Sequence, residues 1–119
     1  MQNFEFVRPT SVADAVAALK GDEAQPMSGG QTLMPTMKAR LAAPEILVSL
    51  TAIDEMKGVR KDGDQIWIGG GTTHATVARE TAESFPALSS LAGRIGDPSV
   101  RSRGTIGGSI ANNDPSACY

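Results

Sequence analysis

Cysteine is almost missing from this chain: Cys118 stands alone among 119 residues. An internal disulfide is thereby excluded, and such usage fits a reducing compartment. Histidine is equally scarce. His74 is the single copy, so no His/Cys cluster offers a set of metal ligands. The sequence has no long apolar run and no basic-then-apolar start, which excludes membrane insertion and a secretory signal and predicts a cytoplasmic protein. Positive charge is not in excess. Eleven Lys and Arg against 13 Asp and Glu leave a formal −2, without the clustered basic face that nucleic acid requires. Repeats and low-complexity segments are missing. So are the two common phosphate signatures, since no Gly-Lys-Ser/Thr follows a glycine loop and no G-x-G-x-x-G occurs.

What the chain does have is glycine in two clusters. Arg103-Gly104-Thr105-Ile106-Gly107-Gly108-Ser109-Ile110-Ala111-Asn112-Asn113-Asp114-Pro115 places three glycines in five positions. Such a run permits sharp turning and close approach to backbone N–H groups, and a row of exposed N–H donors makes a concavity suited to a diphosphate. The plainer reading is a hairpin turn ending in an Asx-type stop at Asn113-Asp114-Pro115. The second cluster, Gln25-Pro26-Met27-Ser28-Gly29-Gly30-Gln31-Thr32-Leu33, reads as strand, glycine turn and opening helix. A helix N-terminus offers free N–H groups and the positive end of the dipole. Two such loops, about seventy residues apart, suggest a clamp closing on one dinucleotide.

Around these loops the pattern alternates strands and helices. Phe4 to Val7 predicts a short strand ended by Arg8-Pro9. Ser11 with Asp14 is a capping signature, Val12, Ala15, Val16 and Leu19 share one helical face, and Gly21 reads as the stop. Gln25 to Ser28 predicts the next strand, and Leu33, Met34, Met37 and Leu41 line a helix from near Thr32. Pro35 falls in its first turn, where the missing N–H had no partner. The methionines read as core filler, and Lys38 and Arg40 suit the helix end. Glu45 to Leu50 is nearly all apolar, as a strand covered on both faces should be. The first lobe, residues 1–54, is therefore βαβαβ.

Residues 55–119 begin a second α+β lobe. Met56 to Lys61 and Gln65 to Gly69 form a hairpin in which Asp62-Gly63 supplies the positive φ. Trp67 reads as a packing residue. Thr72-Thr73 cap a helix to about Glu80, and His74 in its first turn reads as solvated or bonded to backbone, not as a general base. Pro86 opens another helix with Leu88, Leu91, Ala92 and Ile95 as its stripe. Gly96-Asp97-Pro98 ends it and hands the chain to the Gly104 loop.

Ser28-Gly29-Gly30-Gln31-Thr32-Leu33 and Gly104-Thr105-Ile106-Gly107-Gly108-Ser109-Ile110-Ala111-Asn112 resemble the two FAD-diphosphate motifs in the flavoprotein subunit of molybdenum hydroxylases, the family of carbon monoxide and xanthine dehydrogenases. Phe4-Glu5-Phe6-Val7-Arg8-Pro9 and Ile68-Gly69-Gly70-Gly71-Thr72-Thr73-His74 are similar to that family as well. The resemblance implies a two-lobed α+β fold of the FAD-binding type 2, PCMH-like kind. FAD is the implied cofactor, and no residue of the chain need act as acid or base. The implied binding residues are Met27, Ser28, Gly29, Gly30, Gln31, Thr32 and Leu33 on one side. On the other are Gly104, Thr105, Ile106, Gly107, Gly108 and Ser109, with Ala111 and Asn112 toward the ribityl or ring side, and Ile95, Gly96 and Val100 bordering the flavin. Two positions depart from the family pattern: Ser109 stands where many relatives have Asn, and Cys118 where many have an Asp that holds the flavin's sugar portion. Cys118 itself reads as a small buried hydrophobe.

The implied function is electron transfer, with FAD passing electrons from iron–sulfur clusters to an acceptor, in company with a molybdenum-cofactor large subunit and an iron–sulfur small subunit. Subunits of this family are longer, so the chain reads as an N-terminal portion that holds FAD weakly or not at all and whose strand edges favour self-association. The alternative is a truncated binding module without flavin. An oxidase with covalently tethered flavin ranks lower, because neither His74 nor Cys118 lies near the first glycine loop.

Overall fold

A computed structural model describes residues 2–119. Three short strands, β1 (Glu5–Val7), β2 (Ala24–Met27) and β3 (Ile46–Ser49), alternate with two helices, α1 (Val12–Ala18) and α2 (Leu33–Lys38). Both connections are crossovers, so the strands are parallel, in the order β1-β3-β2 with Phe6 opposite Leu47 and Pro26 opposite Val48. Central β3 carries the uninterrupted apolar run. Leu47 and Val48 are fully buried, as parallel strands covered on both faces require. Proline is tolerated in β2 because that strand lies at the sheet edge. Ala15, Met37 and Ile53 complete the core of this unit.

Local chemistry sets the helix ends. The Ser11 side chain accepts the Asp14 N–H at 3.1 Å, and the Glu55 carboxylate accepts that of Val12 at 2.7 Å, so two orphan donors of α1 are satisfied. Two expectations fail here. Gly21 is not the stop of α1, which ends at Leu19, whose N–H bonds back to Ala15 and Val16. Leu41 does not join the α2 stripe: Arg40 adopts φ +61°, breaks the helical path and leaves Leu41 81% exposed. Val12 and Val16 are exposed also, so Ala15 is the one fully buried residue of that face.

The chain divides into two compact units, Met1–Glu55 and Met56–Tyr119. The second opens with an antiparallel hairpin, β4 (Val59–Asp62) and β5 (Gln65–Ile68). Its register pairs Asp62 with Gln65, so the two-residue loop is Gly63-Asp64, and Gly63 takes φ +59°. Trp67 is not packed inside. It is 54% exposed, with the guanidinium of its cross-strand partner Arg60 at 5.7 Å from the ring centroid. Four helices follow: α3 (His74–Glu80), α4 (Pro86–Ala92), α5 (Pro98–Arg103) and α6 (Ile106–Asn112).

The sequence reading missed α5 and misjudged α6. Asp97-Pro98 is a start, not a stop. The Asp97 carboxylate accepts the Val100 N–H at 2.9 Å and Pro98 occupies the first helical turn. The second glycine stretch is mostly helix, opened by Thr105, whose side chain accepts the Gly108 N–H at 3.1 Å. Val77 and Ala92 are fully buried here, alongside the polar Thr72, His74, Thr81 and Thr105. No helix of the described residues is long and apolar enough to cross a membrane.

Candidate functional site

The first glycine segment leaves β2 at Met27 and turns into α2. Gly30 provides the turn at φ +75°, and its carbonyl accepts the Met34 N–H at 3.0 Å. Thr32 precedes α2 without capping it through its side chain. Consequently the N–H groups of Gly29, Gly30, Gln31, Thr32 and Leu33 donate to no group among the described residues. Gln31 and Thr32 are exposed, while Met27, Ser28, Gly29, Gly30 and Leu33 are half-buried. A Cβ on Gly30 would lie 3.2 Å from Met34 and 3.3 Å from Met27, so these two methionines form the floor of the turn. Five consecutive donors of this kind suit an anion.

The second segment is built differently. The N–H of Ile106 donates to the Thr72 carbonyl at 3.0 Å, that of Gly107 to the Gly70 carbonyl at 2.9 Å and that of Ser109 to Thr105 at 3.1 Å. With Gly108 bonded to the Thr105 hydroxyl, the first turn of α6 is internally satisfied. The sequence implies a row of open donors here, and the structure corrects it. Gly70 and Thr72 supply the acceptors from outside the segment, and Gly107 is glycine because a Cβ there would be 2.8 Å from Gly70 Cα. Thr72 is buried and fixes the Gly69-Gly70-Gly71 run, its hydroxyl accepting from Gly58 N–H at 2.9 Å and donating to Gly58 O at 3.2 Å.

His74 ties the start of this segment to the residues that follow it. Its backbone N–H donates to the Gly104 carbonyl at 3.0 Å, next to a bridge between Thr73 and Thr105. Its ring lies on Gly104, where a Cβ would be 2.9 Å from Cδ2, and its Nδ1 is 3.0 Å from the Tyr119 hydroxyl. The side chain is therefore neither solvated nor bonded to backbone, contrary to the sequence expectation. Burial holds the imidazole below the ordinary histidine range. Burial also pushes the Tyr119 phenol up to about 12, with a smaller contribution from the neighbouring Cys118.

Within the second unit Ile95 is half-buried and Gly96 turns at φ +51° against Val100, whose Cβ would be 3.0 Å from one placed on Gly96. Arg101 donates to the carbonyls of Ile95 and Gly96 at 3.1 and 3.2 Å, which holds that corner. Ser109 is half-buried, and Ala111 and Asn112 are exposed at the far end of α6. Cys118 is exposed, not the small buried hydrophobe expected. Among the described residues no cluster of three His, Cys, Asp or Glu is placed to hold a metal ion. Sequence reasoning named Gly70 and Thr72 only as part of a family-like stretch, with Thr72 as a helix cap where Thr73 alone caps α3, and it missed Tyr119. The triple glycine was the available signal, since so many glycines in one run mark close backbone approach.

The family model described as "FAD binding domain in molybdopterin dehydrogenase" matches residues 2–118. The chain is 44% identical over 117 residues to the carbon monoxide dehydrogenase medium chain of Afipia carboxidovorans, covering 95% of this chain and 41% of that one. It is 37% identical over 119 residues to the 6-hydroxypseudooxynicotine dehydrogenase complex subunit alpha of Paenarthrobacter nicotinovorans, covering 97% and 40%. Among solved structures it superposes on carbon monoxide dehydrogenase from Hydrogenophaga pseudoflava with TM-score 0.92 at 41% identity, covering 96% and 41%. Quinoline 2-oxidoreductase from Pseudomonas putida 86 matches with TM-score 0.93 at 29% identity, covering 98% and 42%. The chain thus spans about two-fifths of the length of these relatives, and its α+β architecture is theirs.

Proposed function

Because the chain belongs to the family of FAD-binding domains of molybdopterin dehydrogenases, we propose that it is the FAD-holding part of an electron-transfer subunit in a molybdenum hydroxylase. FAD is the cofactor of this family, and bound flavin supplies the redox chemistry, taking up electrons and passing them to an acceptor. The observation that carries the reading is the row of unengaged N–H groups from Gly29 to Leu33 at the mouth of the β2–α2 turn. Converging N–H donors neutralise a diphosphate without lysine or magnesium. Ser28 and the exposed side chains of Gln31 and Thr32 border that row and orient what it holds.

Within the second unit, taken by itself, the N–H donors of the glycine segment are already spent, so only its side chains are open to a ligand. Ser109 and Asn112 are its polar reach, and Ile95 and Val100 offer apolar surface to a ring. In this reading the partners are a molybdenum-bearing large subunit and an iron–sulfur small subunit, and substrate choice resides in the former.

The test is a titration of the purified chain with FAD and with riboflavin, followed by flavin absorbance and fluorescence. Riboflavin lacks the diphosphate. A charge-assisted hydrogen bond contributes about 1.5–3 kcal/mol, so FAD should bind at least about tenfold more tightly. Equal affinity for the two, or no binding of either, would count against the diphosphate role of Gly29 to Leu33. Co-purification of molybdenum and iron–sulfur subunits from the native host tests the assembly separately.

A further inference from the structure

We propose that Met27 is a redox-sensitive modification site. Hydrogen peroxide converts its thioether to the sulfoxide, and the new oxygen accepts N–H groups of the Gly29 to Leu33 row, closing that row to an anion. The inference deepens the flavin reading by naming a regulation of the same site, and it rests on that reading for the identity of the displaced ligand. A Cβ built on Gly30 would stand 3.3 Å from Met27 Sδ and 3.8 Å from its Cγ, so the sulfur lies against the glycine of the turn. Met34 flanks the same spot, with its Cγ 3.2 Å from that Cβ.

The surroundings leave the side chain within reach of solvent while its backbone is fixed. Met27 and Met34 are half-buried, whereas Met37, on the same helix as Met34, is only 2% exposed. Met27 is held in β2 opposite Ser49, and its carbonyl accepts the Leu50 N–H at 2.9 Å. Gly30 is held in turn by the bond from Met34 N–H to its carbonyl. A thioether is a weak acceptor and asks little of the N–H groups beside it. A sulfoxide is polar and must find a donor.

The reaction balances without help from the protein. The peroxide O–O bond breaks, an S–O bond forms on Sδ, sulfur gives up two electrons, and the second peroxide oxygen leaves as water. The cross-strand neighbour is no source of a donor: the Ser49 hydroxyl is engaged with that of Thr51 at 3.0 Å and accepts the Thr51 N–H at 3.4 Å. The N–H groups of Gly29, Gly30, Gln31, Thr32 and Leu33 donate to no group among the described residues, and the row runs through the glycine that the sulfur touches. An oxygen on Sδ therefore finds its donors there. Each N–H that it takes is lost to a diphosphate oxygen.

The flavin-free chain is treated with limiting hydrogen peroxide, and the products are mapped by peptide mass spectrometry. Met27 should gain one oxygen well before Met37. In 1H–15N spectra the amides of residues 29–33 should move downfield on oxidation, as donors that acquire an acceptor do, and methionine sulfoxide reductase should return them. In parallel titrations, oxidation should weaken FAD by about tenfold and leave riboflavin unchanged. Met27→Leu, whatever affinity it starts from, should show no response to peroxide, whereas Met34→Leu should keep the response. Amides of residues 29–33 that stay in place once Met27 is oxidised would overturn the proposal. So would oxidation of Met37 ahead of Met27, or a response that persists in Met27→Leu. A parent chain with no preference for FAD over riboflavin would instead sink the diphosphate reading, and the amide shifts would still decide whether the sulfoxide takes the row.

Discussion

Replacing Gly107 by alanine should destabilise the flavin-free chain, although helix propensity alone predicts the reverse. In a helix interior alanine is favoured over glycine by about 0.8–1 kcal/mol. At position 107 the new methyl would press against the Gly70 carbonyl and sit 2.8 Å from Gly70 Cα and 2.9 Å from its carbonyl carbon. These are backbone atoms, so no rotamer change relieves the clash, and overpacking of this kind costs about 1–3 kcal/mol. The shift also strains the 2.9 Å bond from Gly107 N–H to Gly70 O, whose net value is about 0.5–1.5 kcal/mol. The net loss is about 1–3 kcal/mol. In a unit this small that lowers Tm by on the order of 5–20 °C. The control is Gly70→Ala, where a Cβ meets only Gly107 Cα at 3.8 Å, an ordinary contact; its effect should stay within about 0.5 kcal/mol. Thermal and urea unfolding of both variants, followed by far-UV circular dichroism, decides the matter. If Gly107→Ala matches the parent without flavin and loses only FAD retention, the glycine is reserved for the cofactor and the packing argument is wrong.

Thr72→Val should cost about 1 kcal/mol by removing the partner of the half-buried Gly58 N–H, and Thr72→Ser should recover most of it; urea midpoints of the two variants check this. Asp97→Ala removes the cap that holds Val100 N–H and should cost about 1 kcal/mol, with Asp97→Asn close to the parent in the same assay. Stability should also depend on pH through His74. Its folded pKa lies below the ordinary value, so the unfolded chain binds the proton first. The contribution is complete above about pH 6.5, declines as pH falls through the window down to the lowered folded pKa, and levels off below it. His74→Gln should flatten that part of a urea-midpoint series, and a parent midpoint that climbs on acidification through the window would refute the sign.

Local chemistry made much of this fold legible. The apolar run at Glu45 to Leu50 became the central strand, and Ser11, Thr73 and Pro86 opened helices where their chemistry says they should. The Asp-Gly pair marked the hairpin, shifted by one residue. What could not be read depends on partners distant in sequence. Glycines at 107 and 108 argue against a helix on propensity, and α6 forms there because Gly70 and Thr72 supply acceptors to its first turn. His74 looked solvent-bound because Tyr119 is 45 residues away. In the candidate site, the sequence pointed to both glycine segments and could not distinguish them: one keeps its N–H groups open, and the other consumes them in its own packing.

Trp67 lies open on β5 under the Arg60 guanidinium. An indole already in contact with water changes its surroundings little when the chain denatures. Its emission is therefore a poor gauge of folding, yet a good one for anything that settles on the hairpin surface and covers it.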